Sequence, residues 1–424
     1  MNKKLILIEL NEFNKELLEK AVIKLNLPNI KYLLSLKYTK TYSVDLEEHQ
    51  GLDPWVQWVS IHTGVPLLIH KVKRLGEVPN LKNAQIWEEL SEKGITSGVW
   101  GAMNASKNDS KGCKFFLPDP WTFSESAFPE KLNRFLSLPR YYAKNYIKPS
   151  IFSLVKTSLK TASVIFDKIY LISLVPEISY SLLSLFKHGI HNYVLFSLFD
   201  LISTRLFINF KIYLRPSFSL VFLNSLAHLQ HHKWDKIFIN EPTKFCLLTI
   251  DKILGMIFKT ITEDEALIVT NGLSQKNVQG ENYCIYRQKN PSDFLLSIGI
   301  SFIDIEQCMT NESHIFFKTI EEKEKATEIL SNVRFGDQCL FDVEIDKINS
   351  LKLYYQFDYF DFIEPNSKFN IGSSEYDFYE YFTLLARRTG SHVPEGDLFS
   401  KGIKVPDLIK NHLIKKYIIS YYKC

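Results

Sequence analysis

Four stretches of this chain gather side chains able to do acid–base or metal chemistry. The first is Glu9-Leu10-Asn11-Glu12, directly after the apolar run Leu5-Ile6-Leu7-Ile8. A carboxylate ending a buried strand is costly unless it is paired or binds a cation. Glu9 therefore reads as one wall of a functional site or as a salt-bridging acid, with Asn11 beside it. The second stretch runs from Asp53 to His70 and holds Trp55, Gln57, Trp58, Ser60 and Thr63. Aromatic walls with a few polar groups are typical of ligand pockets; the alternative is a core helix stopped at Gly64. The third is Asn224 to His232, where a helix would set Asn224, His228 and either His231 or His232 on one face. Facing histidines with an oxygen ligand suit zinc or manganese. The fourth, Arg387 to Gly396, puts Arg387 and Arg388 near His392, a set suited to a phosphate or carboxylate.

These residues need a scaffold. Residues 4–9 form an unalternating apolar run, as in a central parallel strand. A helix comes next over 14–25, with Asn14 as its cap. Further buried strands are expected at Thr96–Trp100, Phe218–Leu223, Lys236–Ile239 and Ala266–Val269, with helices at Ile86–Lys93 and Phe245–Ile261 between some of them. This alternation predicts a doubly wound, mostly parallel α/β sheet. Such sheets hold ligands at the carboxyl ends of their strands. That rule singles out Glu9, Asn11, Asn104, Asn224 and Asn271. Residues 341–365 read as a β-rich segment.

Residues 137–217 differ in character. They carry ten bases, among them Lys148, Lys156, Lys160 and Lys168, against three acids, Asp167, Glu177 and Asp200. This predicts a helical insertion or cap with a cationic face, dividing an α/β domain of 1–136 and 218–424. It reads either as helices packing on one another or as a peripheral membrane contact.

With 424 residues, 46% hydrophobic, the chain can bury a large core, and a net charge of +4 gives no argument for nucleic acid. Six scattered cysteines, Cys424 the last, fit a reducing compartment. The apolar start is broken at Glu9, too soon for a signal peptide, and no stretch reaches the 18 to 20 or so uncharged apolar residues of a spanning helix. The expectation is a cytoplasmic protein, membrane-associated if at all through 137–217.

Taken in order, the four clusters resemble the alkaline phosphatase superfamily, nearest its type I phosphodiesterase and nucleotide pyrophosphatase branch. The resemblance implies a doubly wound sheet carrying two clustered divalent metals. Glu9 stands where family members have a metal-binding aspartate. Thr63, Gly64, Pro66 and His70 echo the end of the nucleophile helix. Asn224 and His228 keep an Asp-x-x-x-His spacing, and His392 matches a late metal histidine. Ile268-Val269-Thr270 precedes the Ser-Asp-His-Gly position, here Asn271-Gly272-Leu273-Ser274. The departures are specific. The nucleophile position falls on Pro54, which has no hydroxyl, Gly272 and Leu273 replace the Asp-His pair, and Asn224 replaces a carboxylate. Each lost carboxylate removes charge that holds a divalent ion.

The resemblance implies an enzyme acting on a phosphate- or sulfate-bearing substrate by hydrolysis or transfer. A small-molecule or lipid-linked saccharide phosphate of surface-glycan metabolism is expected. Glu9, Asn224, His228, His232 and His392 could hold one divalent metal (zinc, manganese or magnesium) or form a metal-free acid/base site. Asp53, Gln57, Thr63 and Arg388 join Glu9, His228 and His392 as catalytic candidates. Asn11, Trp55, Trp58, Asn104, His231 and Asn271 would contact substrate. The alternative is a pseudoenzyme binding a glycan or a protein.

Overall fold

The computed structural model describes residues 3–45, 52–145, 149–308, 311–345 and 349–423. Lys148, Cys424 and the side chain of Lys168 fall outside that description. The chain divides into two compact units, Met1–Asn277 with Gly390–Cys424, and Val278–Thr389.

The first unit is built on an eight-stranded sheet. Strand β1 (Lys4–Leu10) is buried because both neighbours pair with it in parallel, β5 (Phe218–Leu223) on one side and β6 (Glu265–Thr270) on the other. The full order is β10-β2-β9-β6-β1-β5-β3-β4, with β2 (Lys37–Tyr42), β3 (Ser97–Ala102), β4 (Cys113–Pro118), β9 (Glu395–Lys401) and β10 (Leu408–Lys410). Only β9 runs against its neighbours. A short antiparallel pair, β7 (Ser274–Asn277) with β8 (Gly390–Val393), stands beside this sheet.

Alternation along β1 decides which residues go where. Ile6, Ile8 and Leu10 enter one hydrophobic core. Leu5 and Leu7 enter the other, against Trp58, Trp87 and Phe218. Glu9 shares the parity of Leu5 and Leu7, so it lies under the helix that carries Trp58.

Helix α1 (Lys15–Lys24) starts at Asn14, whose side chain accepts from the Leu17 amide at 2.8 Å. Helix α2 (Pro54–Thr63) opens with Pro54 in its first turn and stops at Gly64, whose φ of 80° needs no Cβ. Helix α3 (Ile86–Glu92) leads into β3. The stretch 137–217 is helical: α4 (Ser137–Asn145), α5 (Ile151–Ile165), α6 (Lys168–His188) and α7 (Asn192–Leu214). It lies within the first unit, because Leu201, Leu206 and Phe207 of α7 pack in the same core as Ile6 and Ile8. By length and composition α7 is apolar enough to cross a membrane, although Asp200, Arg205 and Lys211 interrupt its apolar run, and 61% of its apolar window is buried inside the fold.

After β5 come α8 (Ser225–Lys233) and α9 (Glu241–Phe258), and α10 (Ile414–Lys423) closes the unit. The strand expected at Lys236–Ile239 is instead a bend. Asp235 accepts from the amides of Ile237 and Phe238, both at 2.8 Å, and this turn leads to the Asn240 cap of α9.

The second unit combines antiparallel strands with the helices Pro291–Ser297 and Ile320–Ser331. Phe341–Ile345 and Lys352–Phe357 pair as the composition of 341–365 predicts. A core of Tyr286, Phe294, Phe357, Phe378 and Phe382 holds it together.

Candidate functional site

The site begins where β1 ends. The Asn11 amide donates to Leu223 O at 2.9 Å and the Glu12 amide to Asn271 O at 3.0 Å, so the backbone is pinned between β5 and the segment after β6. Glu12 has φ 56°, a left-handed turn that takes its side chain beyond the strand end. Gln230 fixes this turn from both sides. It donates to Glu12 O at 2.8 Å and accepts from the Asn14 amide at 3.0 Å.

Three ligand atoms converge there. Glu12 Oε2 lies 2.9 Å from His231 Nε2 and 3.1 Å from His392 Nε2. His231 comes from α8, after β5. His392 comes from β8, opposite Gln275 of β7, which succeeds β6. The cluster thus draws on the segments leaving β1, β5 and β6, at the carboxyl ends where an open α/β sheet holds its ligands. Gln275 Nε2 also donates to Glu12 Oε2, and Asn11 Nδ2 donates to Oε1 at 2.9 Å. Glu12 is buried, while the two histidines keep a partly exposed edge.

The electrostatics are those of an ionised acid. Burial raises the Glu12 carboxyl, but His392 and His231 outweigh it and hold the group well below the usual carboxylate range. The His231 ring is oriented from behind, and His392 has a carboxylate near its far nitrogen. His231 Nδ1 donates to Gly390 O at 3.2 Å, and His392 Nδ1 stands 3.7 Å from Asp53 Oδ1. As imidazolium, each ring donates from Nε2 and accounts for that lowering of Glu12; as a neutral ring with its proton on Nδ1, it points an Nε2 lone pair at Glu12. A carboxylate and two such lone pairs repel unless a proton or cation lies among them. Two imidazoles and one carboxylate are the donors of a three-ligand zinc site. The three atoms lie within 4.8 Å of one another, and among the described residues no other group of three such side chains does.

Glu9 is placed elsewhere. It is fully buried, with Oε1 2.7 Å from His62 Nε2. Burial raises its carboxyl, with His62 opposing. A side chain inside a strand stands perpendicular to the sheet, so Glu9 meets α2 and the acid in the cluster is Glu12.

His228 also lies away from the cluster. It stacks on Phe196 at 4.0 Å between ring centroids, while His231, one turn further along α8, faces Glu12. His232 meets His231 edge to face at 6.2 Å. Asn224 Oδ1 accepts from Asn11 Nδ2 at 2.8 Å, and Asn11 Oδ1 accepts from Trp58 Nε1 at 2.7 Å. An amide and indole network therefore stands beside the cluster. Gly272 adjoins the same indole, since a Cβ there would meet the Trp58 ring at 3.0 Å.

Most of the remaining predicted residues are engaged in hydrogen bonds within the fold. Asn271 accepts from the Asp397 amide and donates to Phe13 O, both at 2.8 Å. Asn104 donates to Trp55 O and Arg74 O, and Trp55 Nε1 donates to Lys73 O. Thr63 Oγ1 donates to Val59 O at 2.7 Å. Gln57 donates to Asp45 and accepts from Asn411, deep in the fold. Arg388 belongs to the second unit, where its amide donates to Tyr283 O at 2.7 Å. Asp53 caps α2 and is the one residue of that stretch at the cluster.

Ser60 is no activated nucleophile. The Val72 amide donates to His70 Nδ1 at 3.1 Å, and burial lowers His70 to about 4, so the ring is neutral with its proton on Nε2. Nε2 then donates to Ser60 Oγ at 3.0 Å, the reverse of what a general base does.

No family model matches the chain, and no curated protein does. Among solved structures, murine ectonucleotide pyrophosphatase/phosphodiesterase 5 is similar with a TM-score of 0.50 at 11% identity, covering 99% of this chain and 95% of that one. The fold is alkaline-phosphatase-like. Phosphonoacetate hydrolase from Sinorhizobium meliloti 1021, in complex with phosphonoformate, is similar with a TM-score of 0.48 at 11% identity, covering 99% of this chain and 96% of that one. On this alkaline-phosphatase-like scaffold the acid of the cluster comes from just after β1 and the histidines from α8 and β8.

Proposed function

We propose that the protein is a single-metal phosphoesterase or phosphotransferase. The observation that carries this reading is the convergence of Glu12, His231 and His392. These three would hold a divalent ion, with zinc the best match to the donors. When bound, such an ion polarises a phosphoryl oxygen and acidifies water.

The chain's own residues then have separable tasks. Glu12 supplies negative charge. Gly390 O keeps the proton of His231 on Nδ1, and the Asp53 carboxylate stands near His392 Nδ1. Asp53, at the start of α2 and partly exposed, is also placed to take a proton from an attacking water or acceptor alcohol. Water or an alcohol is the nucleophile, because Pro54 has no hydroxyl and Ser60 and Thr63 are committed to internal hydrogen bonds.

The finer reading is a phosphate- or sulfate-bearing saccharide, carried on a lipid, in surface-glycan metabolism. The exposed apolar helices in 137–217 support it. A cytoplasmic location belongs to the same proposal, supported by free thiols at Cys113, Cys246, Cys284, Cys308 and Cys339. One observation favours a second reading, a ligand-binding pseudoenzyme. A second ligand cluster, which the resemblance implies, is missing among the described residues.

Metal content and turnover test the proposal together. Protein stripped of metal and reloaded with zinc, manganese or magnesium should bind one equivalent and cleave a nitrophenyl phosphate mono- or diester. His231→Ala and His392→Ala should lose both properties. Stoichiometric metal without turnover on any phosphoester or sulfate ester selects the pseudoenzyme. No stoichiometric metal, with activity untouched by either substitution, sinks the metal reading.

A further inference from the structure

Helices α5 and α6 turn their apolar stripes outward. On α5 the solvent-facing positions are Ile151, Phe152, Val155, Lys156, Leu159 and Lys160, spaced as one helical face. Ile151 is 80% and Phe152 78% exposed. The inner face of α5 is the more polar one, with Thr157 and Thr161 bonded to backbone carbonyls. On α6 the outward face carries Ile172, Val175, Leu182, Leu183, Phe186 and Lys187, with Phe186 93% exposed. Leaving this much apolar surface in water is costly, and exposed apolar stripes of this kind mark interaction sites.

Charge narrows the partner. Lys156, Lys160 and Lys187 lie on the exposed stripes. Of the two acids of these helices and their junction, Glu177 is buried and Asp167 is only partly exposed. Glu177 accepts from Arg205 Nη2 at 2.8 Å, and Asp167 lies 4.0 Å from Lys131. Apolar side chains interleaved with lysine and no acid are the composition of a helix that lies in a lipid interface. A second copy of the same face would set lysine against lysine.

We propose that the outward faces of α5 and α6 dock peripherally on an anionic lipid bilayer. Phe and Leu side chains enter the headgroup boundary while the lysines reach lipid phosphates. The inference does not depend on the metal site.

Flotation of the purified full chain with vesicles tests it. Vesicles of phosphatidylcholine with about one third phosphatidylserine, a typical anionic surface, should carry the protein up. Pure phosphatidylcholine should carry much less. F152S/L159S/F186S should lower binding at least about tenfold, since burying one such side chain is worth roughly that factor. K156S/K160S/K187S should weaken binding to the anionic vesicles and remove its salt sensitivity. Far-UV circular dichroism should be unchanged in both, because every substituted side chain is exposed. Failure of the wild type to float, or equal flotation of wild type and F152S/L159S/F186S, overturns the proposal. So does a dimer in light scattering that F152S/L159S/F186S dissociates while flotation stays at background.

Discussion

Replacing Glu12 by Gln changes almost nothing in volume and removes one charge from the centre of the cluster. Glu12 Oε2 lies 2.9 and 3.1 Å from the two imidazole nitrogens, so a cation shared by the three side chains must sit within a few ångströms of the carboxylate. One pair of unit charges about 4 Å apart, at an effective dielectric near 20, interacts by about 4 kcal/mol. At about 1.4 kcal/mol per decade this is roughly a thousandfold in affinity. Competition against a chromophoric chelator, on zinc-stripped protein at pH 7.5, measures it directly. The same substitution leaves an amide facing Gln275 Nε2, at a cost of about 1–3 kcal/mol in the metal-free protein. The pH dependence has a definite sign. The folded carboxyl is held below its unfolded value, so its stabilisation is present above about pH 4.5 and is lost as pH falls through the folded value. Glu12→Gln lacks that acid-side loss. Zinc affinity within threefold of wild type would refute the assignment of Glu12 as a ligand.

Three further outcomes rest on the geometry. Burial pushes the Asp200 carboxyl up to about 6 while it accepts from the Asn224 and Ser225 amides. Wild type should therefore lose stability as pH rises from 4 to 6, by about 3 kcal/mol at most, and Asp200→Asn, which keeps an acceptor, should flatten that slope in urea titrations. A slope that survives the substitution assigns it to another group. Gly272→Ala forces a Cβ at φ +75° against the rigid Trp58 ring and should cost about 1–3 kcal/mol, with a shift in tryptophan fluorescence; unchanged stability would contradict the packing described. Ser60→Ala should leave any turnover within about twofold, since Ser60 accepts a hydrogen bond from His70 rather than giving up its proton to it. A loss beyond a hundredfold would restore Ser60 as a nucleophile.

Strands β1, β3, β5 and β6 are legible in the sequence because buried parallel strands are apolar on both faces, and Asn14 and Gly64 mark helix ends by their own conformational chemistry. The location of the site comes from the strand-end rule. Its membership does not, because it depends on where each strand stops. Reading β1 as ending at Glu9 picks the acid that pairs with His62 and not the one that joins the two histidines. Three residues further, past the last paired residue, Glu12 is free of the pleat and turns through a left-handed backbone. The only sequence sign of this is the polar Asn11-Glu12 pair after the run. In the same way His228 and His231 share one helical face, but a one-turn difference decides which meets Phe196 and which meets Glu12. The outward stripes of α5 and α6 are equally hidden, since periodicity gives a helix its apolar face but not the direction in which that face points.

The pairing of β7 with β8 has a consequence for how the site is assembled. Asn277 and Gly390 are register partners, and everything between them is the second unit. Closing so long a loop to deliver His392 to Glu12 costs on the order of 4 kcal/mol in chain entropy if the loop is unfolded. The intervening residues have their own core, and the Val278 amide donates to Thr389 O at 3.0 Å. Once that core forms, residues 278 and 389 are held together and the entropy has already been spent. The second unit thus acts as a clasp for His392, and if Glu12, His231 and His392 hold a metal as proposed, a lesion that loosens the clasp should weaken metal binding.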